Sequence, residues 1–200
     1  MTISKKERNE RLDILEEYGG IFPPLEAFYI ASIQYSAERA MDAFLRYQVC
    51  ISASSHPASI VSTMHEALGH AAALSRFFWP ARKDRLYVMR SEKLRTAFNI
   101  DESSALKDRE IRNALEHFDE RLDEFLFQEQ AGYFFPTAIV DSHEIADEPT
   151  TKIFKLVDPD AGICVILNEK FDFSKVRDEI TRILELANQF DANGSRLKQA

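Results

Sequence analysis

The chain has 200 residues of ordinary composition, 45% hydrophobic and 29% charged, enough for one domain with a sizeable core. A formal net charge of −8 argues against a general nucleic-acid-binding surface, though not against a local cationic cleft. No run of about 18 or more apolar residues occurs, so no membrane span is expected. Lys5, Lys6 and Arg8 are not followed by the apolar stretch of a secretory signal, and Cys50 and Cys164 stand far apart without a CxxC. A cytoplasmic protein with buried or free thiols is the expectation, with disulfide and zinc roles disfavoured.

Residues 3–18 read as a short amphipathic helix stopped by Gly19-Gly20. Pro23-Pro24 opens a long helical segment to about Ser52, whose apolar positions Phe28, Ala31, Tyr35, Met41, Phe44, Leu45 and Val49 recur at helical spacing. Ser54-Ser55-His56-Pro57 is a break and a cap. The next helix runs to about Phe78 with a small-residue face (Ala67, Gly69, Ala71, Ala72, Ala73) that lets another helix approach closely, and Trp79-Pro80 ends it. A further helix spans roughly residues 83–98, and caps at Asp101 to Ser104 precede a helix over about 104–130.

Beyond Gly132 the periodicity lapses. "TKIFKLV" and "ICVILN", flanking Asp158-Pro159-Asp160-Ala161-Gly162, predict a β-hairpin, and Phe173 to Phe190 a closing amphipathic helix. The expected fold is therefore mainly α: an up-and-down helical bundle over residues 1–132, with a connection, a small hairpin and a closing helix over 133–200 docked on it as one domain.

The chemistry concentrates in Arg112-Asn113-Ala114-Leu115-Glu116-His117. With Ile111, Leu115, Phe118, Leu122, Phe125 and Leu126 as the buried stripe, at about 100° per residue, Arg112 and His117 fall to either side. Asn113 and Glu116 lie on the polar arc between them. Arg can hold a phosphate and His can move a proton near neutral pH. A solvated helix face with Arg112–Glu116 and Asn113–His117 as plain i,i+4 neighbours is the competing reading.

Arg76, Arg82, Lys83, Arg85, Arg90, Lys93 and Arg95 gather positive charge in mid-chain, and Arg76 and Arg95 are the candidate substrate-binding cations. His65-Glu66-Ala67-Leu68-Gly69-His70 is one residue too long for a zinc-protease motif, which turns the second His off the face of the first by about 140°. No glycine-rich phosphate loop or nucleotide fingerprint is present, so neither metal nor cofactor is expected.

The R-N-x-x-x-H string resembles the R-x4-H motif of the HEPN superfamily, small helical bundles that often act as metal-independent ribonucleases, many with a polar residue directly after the Arg. "RNALEHFDERLDEF", with "SRFFWPARK" and "KLRTAF" upstream, is similar to a group of bacterial helical proteins without an assigned activity. The resemblance implies a homodimer with two motifs facing across its interface. His117 would be general acid or base on RNA, Arg112 would hold the scissile phosphate, and Asn113 would orient one or the other. Some superfamily toxins carry H-x-Y, where an antitoxin modifies the Tyr; Asp119 stands there in this chain, so that chemistry is not implied. The alternative is a non-enzymatic helical module that dimerises or binds another protein through the same face.

Overall fold

The computed structural model describes residues 3–108, 110–128 and 131–197, and at Arg112 the backbone without the side chain. Among them are seven α-helices: α1 (Lys5–Glu16), α2 (Glu26–Ser52), α3 (Pro57–Phe78), α4 (Arg85–Ala97), α5 (Glu110–Glu116), α6 (Phe118–Gln128) and α7 (Phe173–Ala192). The molecule is mainly α, with a small strand region before the closing helix. No helix among the described residues is long and apolar enough to cross a membrane.

Local chemistry explains the boundaries. Ser4 caps α1, its hydroxyl accepting the Glu7 amide at 3.2 Å, and His56 caps α3 through the Ala58 amide at 3.2 Å, with Pro57 in the first turn. Asp172 caps α7 by accepting the amides of Ser174 and Lys175. The turn joining α1 to α2 passes so close to α4 that a Cβ on Gly20 would lie 2.6 Å from the Arg90 nitrogen; φ there is +94°, so only glycine fits.

The core is an α2–α3–α7 layer. Ile30, Ile33, Ala37, Ala40 and Ala43 of α2 meet Met64, Ala67, Leu68 and Ala71 of α3, all buried. The small residues of α3 are therefore split: Ala67, Ala71 and Ala72 are buried, whereas Gly69 and Ala73 are exposed. Val176, Ile180, Ile183 and Ala187 of α7 complete the layer, and α7 lies along α2 as an integral member of the core. Phe78, Trp79, Phe98 and Phe190 close one end in edge-to-face contacts with centroids 5.1–6.1 Å apart.

Of the apolar positions read along α2, only Phe44 is buried; Phe28, Ala31, Tyr35, Leu45 and Val49 point outward and Met41 is half-buried. The single helix expected over about 104–130 is a 3-10 turn (Ala105–Lys107) followed by α5 and α6, which meet at His117. The interruption is local: the amide of His117 still bonds Asn113 O at 3.0 Å, and Arg121 bonds His117 O at 3.0 Å.

The expected hairpin is present as β4 (Lys155–Asp158) and β5 (Ile163–Ile166), antiparallel with Lys155 opposite Ile166. It belongs to a larger sheet in the order β2 (Ile139–Val140), β4, β5, β6 (Glu169–Asp172), with β2 parallel to β4. A separate parallel pair joins β1 (Tyr133–Phe135) to β3 (Thr151–Ile153). Asn168, at φ 63°, ties the two sheets: its carboxamide oxygen accepts Ile153 N at 2.6 Å and its NH2 donates to Thr151 O at 2.9 Å.

Candidate functional site

Asp108 starts the motif helix by accepting the Glu110 amide at 2.8 Å. Ile111 and Ala114 are buried against the core, and Leu115, Phe118, Leu122 and Phe125 are half-buried along it; Leu126 is exposed. That packing turns the polar arc outward. Asn113 is half-buried, and His117, at the junction of α5 and α6, is exposed, its Nδ1 3.6 Å from Glu120 Oε2. Arg112 lies on α5, but its side chain falls outside the described residues, so its reach toward His117 is not part of the geometry.

Arg76 of α3 comes to the motif: its guanidinium pairs with the Glu116 carboxylate. Its cation is thereby matched by an acid, and α6 continues the rim with exposed Asp119, Glu120 and Glu124. Arg95 is elsewhere. It donates to Phe78 O at 3.1 Å, closing the C-terminus of α3, and lines a shallow cleft with Glu92 and Asp101.

The other mid-chain cations are similarly spent on the fold. Arg85 binds Asp13 at 2.7 Å and also Glu16, and Arg90 donates to Arg76 O at 3.1 Å. Lys93 meets Glu26 at 2.7 Å and donates to Tyr18 O and Ile21 O, both at 3.0 Å. Arg82 and Lys83 stay exposed in the loop before α4. The mid-chain positive charge is thus mostly a set of pins among α1 to α5, and the motif rim is acidic.

Two clusters were not singled out as a pair by sequence reasoning. His65 faces inward to β5, its Nε2 3.8 Å from Cys164 Sγ, whereas His70 turns to solvent beside Glu66 at 3.9 Å. Burial, with nearby Lys155, pushes His65 down to about 4, and burial pushes the Cys164 thiol up to about 12. Both are neutral at neutral pH, so the pair lacks the thiolate that nucleophilic chemistry requires.

His143 and Asp158 form the second, Nδ1 to Oδ2 at 2.7 Å. Burial raises the Asp158 carboxyl, but the amides of Ala161 and His143 and the His143 ring outweigh it and hold the group at about 2. Asp158 also accepts the amides of Asp160 at 3.1 Å and Ala161 at 3.0 Å, so it is the knot of the β4–β5 turn. The Asp-Pro-Asp turn signal was the sequence trace of that knot; His143, fifteen residues upstream, left none.

Three clefts stand out elsewhere. One of about 620 Å³ lies between α1 and α4, one of about 620 Å³ between the end of α2 and the start of α7, and one of about 290 Å³ between α1 and the start of α2. Asn113 and His117 line none of them.

A different surface is chemically more unusual. Phe28, Tyr35, Leu45 and Val49 on the outer face of α2 are 70%, 65%, 55% and 67% exposed, in a helix whose opposite face is buried in the core. Phe28, Tyr35, Asp42 and Val49 recur every seven residues, with Ala31, Glu38 and Leu45 three residues after the first three, which is the spacing of a helix seam. Glu38, Arg39 and Asp42 occupy its centre, where Arg39 pairs with Asp42 at 2.7 Å and lies over the Tyr35 ring at 5.7 Å. Compared with protein-family models, curated protein sequences and solved structures, the chain finds no match, so the reading of these surfaces rests on their own chemistry.

Proposed function

We propose that this chain is a helical interaction module that forms a homodimer through the outer face of α2. The observation that carries the proposal is the exposed seam of Phe28, Ala31, Tyr35, Leu45 and Val49, set on a seven-residue repeat. Isolated exposed apolar residues are ordinary, whereas an aligned series of large ones along a rigid helix marks a contact surface.

A second copy suits this seam better than an unrelated partner because the seam complements itself. Apolar residues stand at both ends and charged ones in the middle. An antiparallel pair with its two-fold axis between Glu38 and Arg39 sets Phe28 beside the partner's Val49. The same register sets Leu45 next to the partner's Ala31 and Tyr35 beside the partner's Asp42, whose carboxylate can accept the phenol proton. Arg39 then lies about one helical turn from the partner's Asp42. Such an isologous arrangement is the commonest way for a soluble chain to pair.

Cross-linking tests the register. In a Cys50→Ser background, Arg39→Cys is expected to yield a disulfide-linked dimer under mild oxidation, because that position lies beside the two-fold axis. Arg82→Cys, exposed in a distant loop, is the control. Equal cross-linking of the two, or none at Arg39→Cys, contradicts the pairing.

The ribonuclease reading is retained as a second proposal, on one observation: His117 is open to solvent directly after the helix that Arg76 joins through Glu116. Cleavage by this route leaves 2′,3′-cyclic phosphate ends, survives a chelator, and is lost in His117→Ala and in Arg112→Ala. RNA left intact by the wild-type chain, or cut equally by the double variant, ends that reading without touching the first. The acidic rim of α6 favours the interaction module, since carboxylates repel a phosphate backbone.

A further inference from the structure

The smallest of the three clefts is the most ligand-like. Its walls are Leu12 and Leu15 of α1, Ile21, Phe22, Leu25 and Tyr29 from the approach to and first turn of α2, and Leu86 of α4. At about 290 Å³ it lies at the lower limit of small-molecule sites, which run from about 300 to 1,000 Å³. Its cationic side chains are Arg8 and Arg11, and no Asp or Glu lines it. Arg11 is held by Glu7 at 2.6 Å, whereas the Arg8 guanidinium has no ion pair among the described residues.

The cleft is braced. Arg85 clamps α1 to α4 through Asp13 and Glu16, and Lys93 holds the intervening turn by the carbonyls of Tyr18 and Ile21. Its apolar walls therefore do not close by a simple slide of α1, and they remain wet unless something apolar fills them. A free guanidinium beside such walls attracts one kind of guest by local charge, against the long-range repulsion of a chain whose net charge is −8.

We infer that this cleft binds a small amphipathic monoanion, an alkyl carboxylate of medium chain length, with the chain among Leu12, Leu15, Phe22 and Leu86 and the carboxylate at Arg8. The inference does not depend on the pairing of α2, because its cation and most of its walls come from α1, α4 and the turn before α2.

The test is calorimetric titration of the full chain with decanoate, decanol and decylamine, each below the concentration at which it self-associates. Decanoate is expected to bind saturably, decanol at least tenfold more weakly, and decylamine more weakly still. Arg8 is exposed, so Arg8→Glu leaves the fold intact; it is expected to weaken decanoate at least tenfold while changing decanol little. Leu86→Arg, which blocks the wall, is expected to weaken decanoate and decanol alike. Absence of saturable decanoate binding overturns the inference, as does equal binding of decanoate and decylamine. Unchanged decanoate affinity in Arg8→Glu overturns it too.

Discussion

His65 sits between α3 and the sheet, with Cys164 at 3.8 Å and Lys155 near enough to disfavour its protonation. In the unfolded chain it takes up a proton near pH 6.5; in the folded chain, burial and Lys155 hold it neutral down to about 4. The depressed value means that its contribution is intact above pH 6.5 and is lost as pH falls from there to about 4, because only the unfolded state gains the proton. That loss amounts to up to about 3 kcal/mol. Asp158 acts lower, between its ordinary range and about 2, so the two steps are separable. Urea unfolding at pH 7 and at pH 4.5 is expected to show the His65 step in the wild type and its absence in His65→Gln. A loss of equal size in both proteins would show that another group carries it.

At the scale of elements, Glu26 decides how the helices are assembled. Its side chain is 6% exposed at the start of α2, meets Lys93 of α4 at 2.7 Å, and accepts the amide of Leu197 at 3.0 Å, tying the last described residues to the first core helix. Removing one partner of a buried pair leaves the other charge uncompensated, at a cost of about 3 kcal/mol or more. Glu26→Ala is therefore expected to be strongly destabilising in thermal or chemical unfolding. Glu26→Gln is milder, since the amide oxygen still accepts from Leu197. Equal effects of the two would remove the Leu197 hydrogen bond from the explanation, and a Glu26→Gln as stable as the wild type would remove the ionic pair.

Element boundaries were the most legible part of the sequence. Pro23-Pro24, His56-Pro57 and Trp79-Pro80 mark their helices by geometry that no tertiary contact overrides, and α2, α3 and α4 begin and end within a few residues of the expected places. The break at His117 was illegible because the apolar period runs through it unchanged, and two backbone hydrogen bonds span it. The inward face of α2 was also illegible. Apolar residues occupy both of its sides, and periodicity alone does not say which side the Ala-lined face of α3 selects. The selection follows close approach: Ala37, Ala40 and Ala43 let α3 in, and the bulky Phe28, Tyr35 and Val49 are left outside.

For the whole molecule, charge and shape act together. The cations that looked like a binding surface are mostly consumed as braces between helices, something residue type cannot reveal because an Arg pinned to a carbonyl reads the same as one awaiting a phosphate. Of the sequence-derived site, Arg76 and the motif helix meet while Arg95 stands apart. Among the described residues, the seam of α2 is an aligned apolar series left exposed along a core helix, beside a second group of exposed aromatics at Phe127, Tyr133, Phe134 and Phe135. Two chains each carrying −8 repel at long range, so association through an apolar seam strengthens as added salt screens that repulsion. Sedimentation equilibrium across micromolar concentrations, at low and moderate salt, tests the central claim most directly. The wild type is predicted to be a dimer that tightens with salt, and Phe28→Glu with Val49→Glu, both at exposed positions, a folded monomer. A wild type that remains monomeric throughout, or a double variant that dimerises as well as the wild type, would contradict the account.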